Sequence, residues 1–236
     1  MSTSKPLRLD RILASLGYGS RRTVEELLRA GAVTVDGETV REGERKVMPE
    51  EVRLDGEPLD HPAGILVMLH NPAGYACSLS PAEMPLVYEL VPERWLRRNP
   101  LPTTIGRLDR DTTGLVLITD DRELVHRLTS PKHGVEKSHE VTADAPIPEE
   151  LVGLFASGGY LLEGETEPCR PARLTIRDPY HAELVLHEGR FHQVKRMFGN
   201  RGIGVTALHR SRFGPYSLDG LASGCWRDVP PPGAVP

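Results

Sequence analysis

Two spacings of apolar residues organise this chain. Leu7, Leu9, Ile12, Leu13 and Leu16 recur at helical intervals, and Gly17-Tyr18-Gly19 then breaks the run. Ser20 is placed to cap a second helix whose inner face carries Thr23, Val24, Leu27 and Leu28, and Gly31 stops it. Val33-Thr34-Val35 and Glu38-Thr39-Val40 flank an Asp36-Gly37 turn signal, which predicts a hairpin. Val47 to Leu54 reads as a further strand before the turn at Asp55-Gly56. Residues 55–63 are rich in turn formers and proline and read as a linker.

Beyond the linker the pattern changes. Ile65-Leu66-Val67-Met68-Leu69 and Leu115-Val116-Leu117-Ile118-Thr119 read as buried strands, and Ala182 to Leu186 alternates like a third. Segments 123–128, 148–156 and 191–199 read as helices. Strands and helices mix without a strict βαβ rhythm, so the expected class is α+β. The expected divisions are a small module of two helices and short strands over 7–60, a larger domain over 64–228, and a disordered Pro-rich tail over 229–236.

Composition narrows the function classes. With 29 Lys+Arg against 33 Asp+Glu the net charge is -4, so a nucleic-acid site has to be a local patch, not a bulk property. The apolar runs fall short of the ~18 residues of a membrane span. Met1 to Lys5 shows no apolar signal region, and Cys77, Cys169 and Cys225 suit neither a disulfide framework nor a zinc ribbon. The expected setting is the cytoplasm.

Two segments carry chemistry. Gly106-Arg107-Leu108-Asp109-Arg110-Asp111-Thr112-Thr113-Gly114 is a polar, glycine-bracketed loop that runs into an apolar strand. A strand-edge loop holds a carboxylate rigidly, although an Asp-rich turn has the same composition and Asp109 and Asp111 also permit a weak metal reading. The second segment, His187 to Phe198, is basic. From 186 to 212 six Lys+Arg face one Glu, a net of +5. Helical spacing sets His192, Lys195 and Arg196 on one face, with Phe191, Val194 and Phe198 packing on the other. Such a helix is either a plain surface helix or the source of a cation that keeps a loop carboxylate ionised. Over residues 1–48 the balance is nine Lys+Arg against seven Asp+Glu, so charge alone does not separate a phosphate-binding face made of Arg8, Arg11, Arg21, Arg22 and Arg29 from solvated charges.

Motif order adds what charge does not. Arg8-Leu9-Asp10, Ser20-Arg21-Arg22, Leu27-Leu28-Arg29-Ala30-Gly31 and Val33-Thr34-Val35-Asp36-Gly37 resemble the S4 RNA-binding module. The loop Gly106 to Leu115, the segment Leu128 to His133, the segment Gly189 to Met197 and Leu69 to Tyr75 resemble the RsuA family of pseudouridine synthases, which modify uridine in ribosomal RNA. Asp111-Thr112-Thr113-Gly114 and Leu128-Thr129-Ser130-Pro131 are most similar to the small-subunit type; a large-subunit enzyme or a catalytically impaired assembly factor is the alternative.

The resemblance implies a mainly antiparallel catalytic sheet with flanking helices, no cofactor and no metal, and a monomer acting on ribosomal RNA. It implies that Asp109 is the catalytic carboxylate, paired with Lys195, and that Arg107 fills the stack vacated by a flipped base. It places Arg190, His192 and Arg196 against RNA, and Leu108 and Met197 at the uracil. Two departures stand out. His139 replaces a Tyr expected to stack on the uracil, and would bring a proton carrier near neutral pH. Asn71 replaces a Lys, removing one phosphate contact.

Overall fold

The computed structural model describes residues 5–233. Local signals set the N-terminal elements. Helix α1 (Leu9–Ser15) buries Leu9, Ile12 and Leu13. Helix α2 (Arg21–Ala30) starts where the Ser20 hydroxyl accepts the Thr23 N–H at 3.2 Å and ends at Gly31 in the left-handed region. Asp36 and Gly37, and again Asp55 and Gly56, all have positive φ, the geometry of tight hairpin turns whose twist matches the flanking strands. These turns order a four-stranded sheet as Glu38–Thr39, Val33–Val35, Val52–Leu54 and Glu57–Pro58. Its core joins Leu9, Ile12, Leu13, Val24, Leu28, Val33, Val35 and Val52. Each such side chain contributes about 1.5–3 kcal/mol on burial.

Backbone contacts cluster the chain into two units that the linear order does not separate. The first comprises the module through Leu66 together with Val91–Thr103 and Thr119–Asp121. The predicted linker is therefore not loose. Leu59 is buried, and Asp60 accepts from the Trp95 indole at 2.8 Å and from Arg94. Arg98 donates to Asp120 Oδ2 through Nε at 3.1 Å and Nη2 at 3.0 Å, and to the carbonyls of Asp60 and His61 at 3.1 and 3.0 Å. Leu7, counted in the first helical run, instead lies exposed on a short strand.

The second unit holds Val67–Leu90, Thr104–Ile118 and the chain from Arg122 onward. Its sheet runs in the order Arg173–Asp178, His181–Leu186, Lys137–Ala143, Val205–Phe213, Thr113–Thr119, Leu66–Asn71, Trp226–Asp228. The pairing is mainly antiparallel; Val205–Phe213 runs parallel to Thr113–Thr119. Helices α3 (Arg122–Thr129), α4 (Glu150–Ala156) and α5 (Gln193–Gly199) flank it. Leu151 and Phe155 of α4 and Val194, Met197 and Phe198 of α5 share one core with Leu174 and Leu184 of the sheet. No helix among the described residues is long and apolar enough to cross a membrane. Of the predicted tail, the Pro230 carbonyl accepts the Tyr216 hydroxyl at 2.7 Å, while residues 234–236 lie outside the described residues.

Candidate active site

Backbone constraints fix the Asp109 loop. It leaves the strand Thr103–Ile105 at Gly106, whose φ of 73° suits glycine, and re-enters the sheet at Gly114. A Cβ on Gly114 would lie 2.3 Å from the Arg210 carbonyl oxygen, so only glycine lets the two strands approach there. Thr112 N–H closes a turn onto the Asp109 carbonyl at 2.9 Å, and Gly74 N–H donates to the Arg110 carbonyl at 2.7 Å. Asn71 is fully buried and its amide donates to the Thr112 carbonyl at 3.4 Å. This position, expected from the resemblance to face phosphate when it is lysine, here supports the loop from within.

Two side chains converge on the carboxylate from α5 and the turn before it. Lys195 Nζ lies 3.2 Å from Asp109 Oδ2 and 2.5 Å from Asp111 Oδ1. His192 Nε2 lies 3.2 Å from Asp109 Oδ1. The Asp109 side chain is 24% exposed, so it is accessible yet partly withdrawn from water. Burial opposes the charge on Lys195, but its hydrogen bonds to Asp111 and Asp109 outweigh that, and its pKa lies above the ordinary value. The Lys195 hydrogen bond in turn holds Asp111 below the usual carboxylate range.

Asp109 opens onto a cleft of about 570 Å³, lined among others by Cys77, Arg107, Leu108, Lys137, His139, Arg190, Phe191 and Arg210. The volume is that of a small-ligand site. His139 and Arg210 are register partners on adjacent strands of the floor. Burial, with the Arg210 charge adding to it, pushes His139 down to about 3. The same two effects bring Lys137 to about 8, and burial brings Arg210 to about 10. His139 is therefore neutral at physiological pH, against the expectation of a proton carrier near neutrality. Arg210 Nε donates to the Leu115 carbonyl at 2.8 Å, while its Nη2 and His139 Nδ1 are buried with no hydrogen-bond partner among the described residues. Buried polar atoms without a partner are rare in folded proteins, and both residues line the cleft.

Several expected binding residues have other work. Arg190 pairs with Glu188 at 3.3 Å and Glu165 at 3.6 Å, and donates to the carbonyls of Glu167 and Pro168 at 2.7 and 2.6 Å. Arg196 pairs with Glu165 at 2.9 Å and donates to the Glu163 carbonyl at 2.8 Å. Both tie the loop 163–168 to α5 and the turn before it. Met197 is fully buried in the core, not at the cleft, because α5 turns that face inward. Leu108 does line the cleft, and Arg107 is exposed at its rim.

In the N-terminal module the five arginines divide. Arg8 pairs with Asp10 at 2.8 Å and Glu44 at 3.2 Å, Arg22 with Glu26 at 3.2 Å and Arg29 with Glu25 at 3.8 Å. Arg11 and Arg21 are exposed and make no ion pair among the described residues.

Sequence reasoning missed Phe191 and Arg210. Phe191, expected to pack, is 69% exposed, because α5 begins at Gln193 and His192 before it takes a left-handed φ of 47°. The signal for Arg210 was present: in the strand Val205–Phe213 it takes the same inward alternation as Leu208, a charge in a core slot.

Comparison with known proteins agrees with this geometry. Residues 65–200 match the family described as RNA pseudouridylate synthase, and residues 7–52 match the S4 domain. The chain is 42% identical over 229 residues to a protein named ribosomal small subunit pseudouridine synthase A from Yersinia pestis, covering 94% of each chain. It is 41% identical over 228 residues to the protein of the same name from Escherichia coli (strain K12), covering 94% of this chain and 96% of that one. A crystal structure titled pseudouridylate synthase superposes with a TM-score of 0.66 at 38% identity, covering 95% of this chain and 96% of the other. A carboxylate held by Lys195 and His192 at a cleft of small-ligand size, in a chain that also carries an S4 domain, thus defines an RNA-modifying enzyme. The chain belongs to the RNA pseudouridylate synthase family and is a pseudouridine synthase with an N-terminal S4 domain.

Proposed function

We propose that this chain converts one uridine of small-subunit ribosomal RNA to pseudouridine in the cytoplasm, acting as a monomer without cofactor. The single observation that carries the chemistry is Asp109, bracketed by Lys195 and His192 at 3.2 Å each at the mouth of the cleft. The substrate reading rests on the names of the relatives at 41–42% identity over nearly the whole chain.

The reaction is an isomerisation. The C1′–N1 bond breaks, the uracil turns, C1′ bonds to C5, and the proton lost from C5 is balanced by one gained at N1. No redox equivalent is needed. The Asp109 carboxylate supplies negative charge at C1′ as the glycosidic bond opens, and Lys195 holds it in one rotamer. The orphan Nη2 of Arg210 suits a uracil carbonyl, and neutral His139 offers a ring face to the base. Arg107 at the rim is placed to occupy the stack that the extruded base leaves; extrusion costs roughly a few kcal/mol. Arg11 and Arg21 contribute phosphate contacts from the S4 domain.

The test is Asp109→Asn. Pseudouridine formation on small-subunit ribosomal RNA should vanish while RNA affinity stays within a few-fold. Carbodiimide mapping of ribosomal RNA from cells lacking the chain should lose one signal in the small subunit. An active Asp109→Asn enzyme, or an unchanged map, overturns the reading.

A further inference from the structure

The chain has four phenylalanines; Phe155, Phe198 and Phe213 are at most 1% exposed, and Phe191 is 69% exposed at the edge of the catalytic cleft. An open aromatic forgoes the ~1.5–3 kcal/mol that burial of such a side chain brings. Its surroundings hold it firmly in that position. The Phe191 ring lies parallel to the His192 ring, with centroids 3.8 Å apart and planes 19° apart. The His192 imidazole in turn sits 3.2 Å from Asp109. The Phe191 carbonyl accepts Arg196 Nη1 at 3.2 Å, and the preceding Arg190 is fastened to two carboxylates and two carbonyls. Both arginines therefore serve to fix the turn that presents this ring.

We propose that Phe191 is a stacking platform for an unpaired nucleobase of the RNA, the one that flanks the target uridine. His192 separates the Phe191 ring from the Asp109 carboxylate, so a base on Phe191 belongs to the neighbour of the nucleotide whose C1′ meets Asp109. An apolar protein partner fits poorly, because the cleft that Phe191 lines also carries Arg107, Arg110 and Lys195. A planar ring set among cations is how single-stranded nucleic acid is held without reading its sequence. The inference deepens the RNA-modification reading and rests on it.

The test uses a small-subunit ribosomal RNA transcript as probe, with Kd and KM measured beside the single-turnover rate at saturating RNA. Phe191→Ala should raise Kd and KM by roughly 5- to 150-fold, the range for losing one base–aromatic stack. The saturated rate should stay within about threefold, since the ring does not reach the reacting atoms. Phe191→Trp should match the parent, whereas Phe191→Leu, apolar but unable to stack, should behave like Phe191→Ala. The salt dependence of binding should keep its slope, because no phosphate contact is lost. An Ala variant within twofold of the parent in Kd, or a Leu variant that restores it, overturns the platform. If the parent makes no pseudouridine on the transcript, the functional reading fails, and Kd still decides the role of the ring.

Discussion

Replacing Lys195 by Met removes the charge beside Asp109 while keeping most of the side-chain volume. Two unit charges at the observed 3.2 Å interact by about 5 kcal/mol at an effective dielectric of about 20. Solvent reaches this pair, since the side chains are 26% and 24% exposed, and Asp111 competes for the same ammonium at 2.5 Å. About half of the gross value, roughly 2–3 kcal/mol, is then at stake when the carboxylate must stay charged at C1′. At 1.36 kcal/mol per tenfold, Lys195→Met should slow single-turnover pseudouridine formation by about 30- to 150-fold. Release of tritium from RNA labelled at uridine C5 measures the rate directly. RNA affinity should change little, because Lys195 faces carboxylates. Lys195→Arg should recover most of the rate, since it keeps the charge. In the Met variant the Asp111 carboxyl, observed by NMR titration, should rise toward its ordinary range, because the hydrogen bond that lowers it is gone. A folded Lys195→Met enzyme within threefold of the parent rate would refute the electrostatic role.

Three further outcomes follow from groups away from that pair. His139 is held near a pKa of about 3 by burial, so between that pH and about 6.5 the unfolded chain binds a proton there and the folded chain does not. Stability should fall with decreasing pH across that window by ~1.4 kcal/mol per unit from this group, and urea titrations of His139→Phe should show a slope shallower by one proton; an unchanged slope sinks the assignment. Asp120→Ala strands Arg98, whose side chain is 3% exposed, and should lower urea-measured stability by about 3–5 kcal/mol, with a loss below 1 kcal/mol counting against it. Arg11→Ala with Arg21→Ala should flatten the salt dependence of RNA binding by about 1.4–1.8 log units per log unit in filter-binding assays, and more than the paired Arg22 and Arg29 would; equal slopes would remove the two from the contact surface.

Local chemistry made much of the fold legible. The Ser20 cap, the Gly31 stop and the Asp36-Gly37 turn need only neighbours a few residues away, and each takes the geometry its residue types favour. The strands Leu66–Asn71 and Thr113–Thr119 declared themselves as apolar runs. What stayed hidden depends on distant partners. Arg190 and Arg196 read as free cations because Glu165, their carboxylate, lies about 25 to 31 residues away in sequence. Phe191 read as a packing residue because the helix was extended back to it, and only the left-handed His192 shows that the helix starts later. His139 read as a proton carrier because its burial and the Arg210 charge beside it depend on strand pairing. The segment 55–63 read as a linker because Arg94, Trp95 and Arg98 come from far along the chain to hold it.

The backbone changes unit at Leu66, Leu90, Thr103, Ile118 and Asp121. Cutting the gene at the apparent junction near residue 63 would therefore not yield two autonomous halves. The carboxy-terminal product would carry Trp95 and Arg98 without the Asp60 groups they bond, and the amino-terminal product would lack Val91–Thr103, which belongs to its unit. Exchange of the RNA-binding module by recombination has to bring along a compatible version of Val91–Thr103, which is encoded far downstream of it.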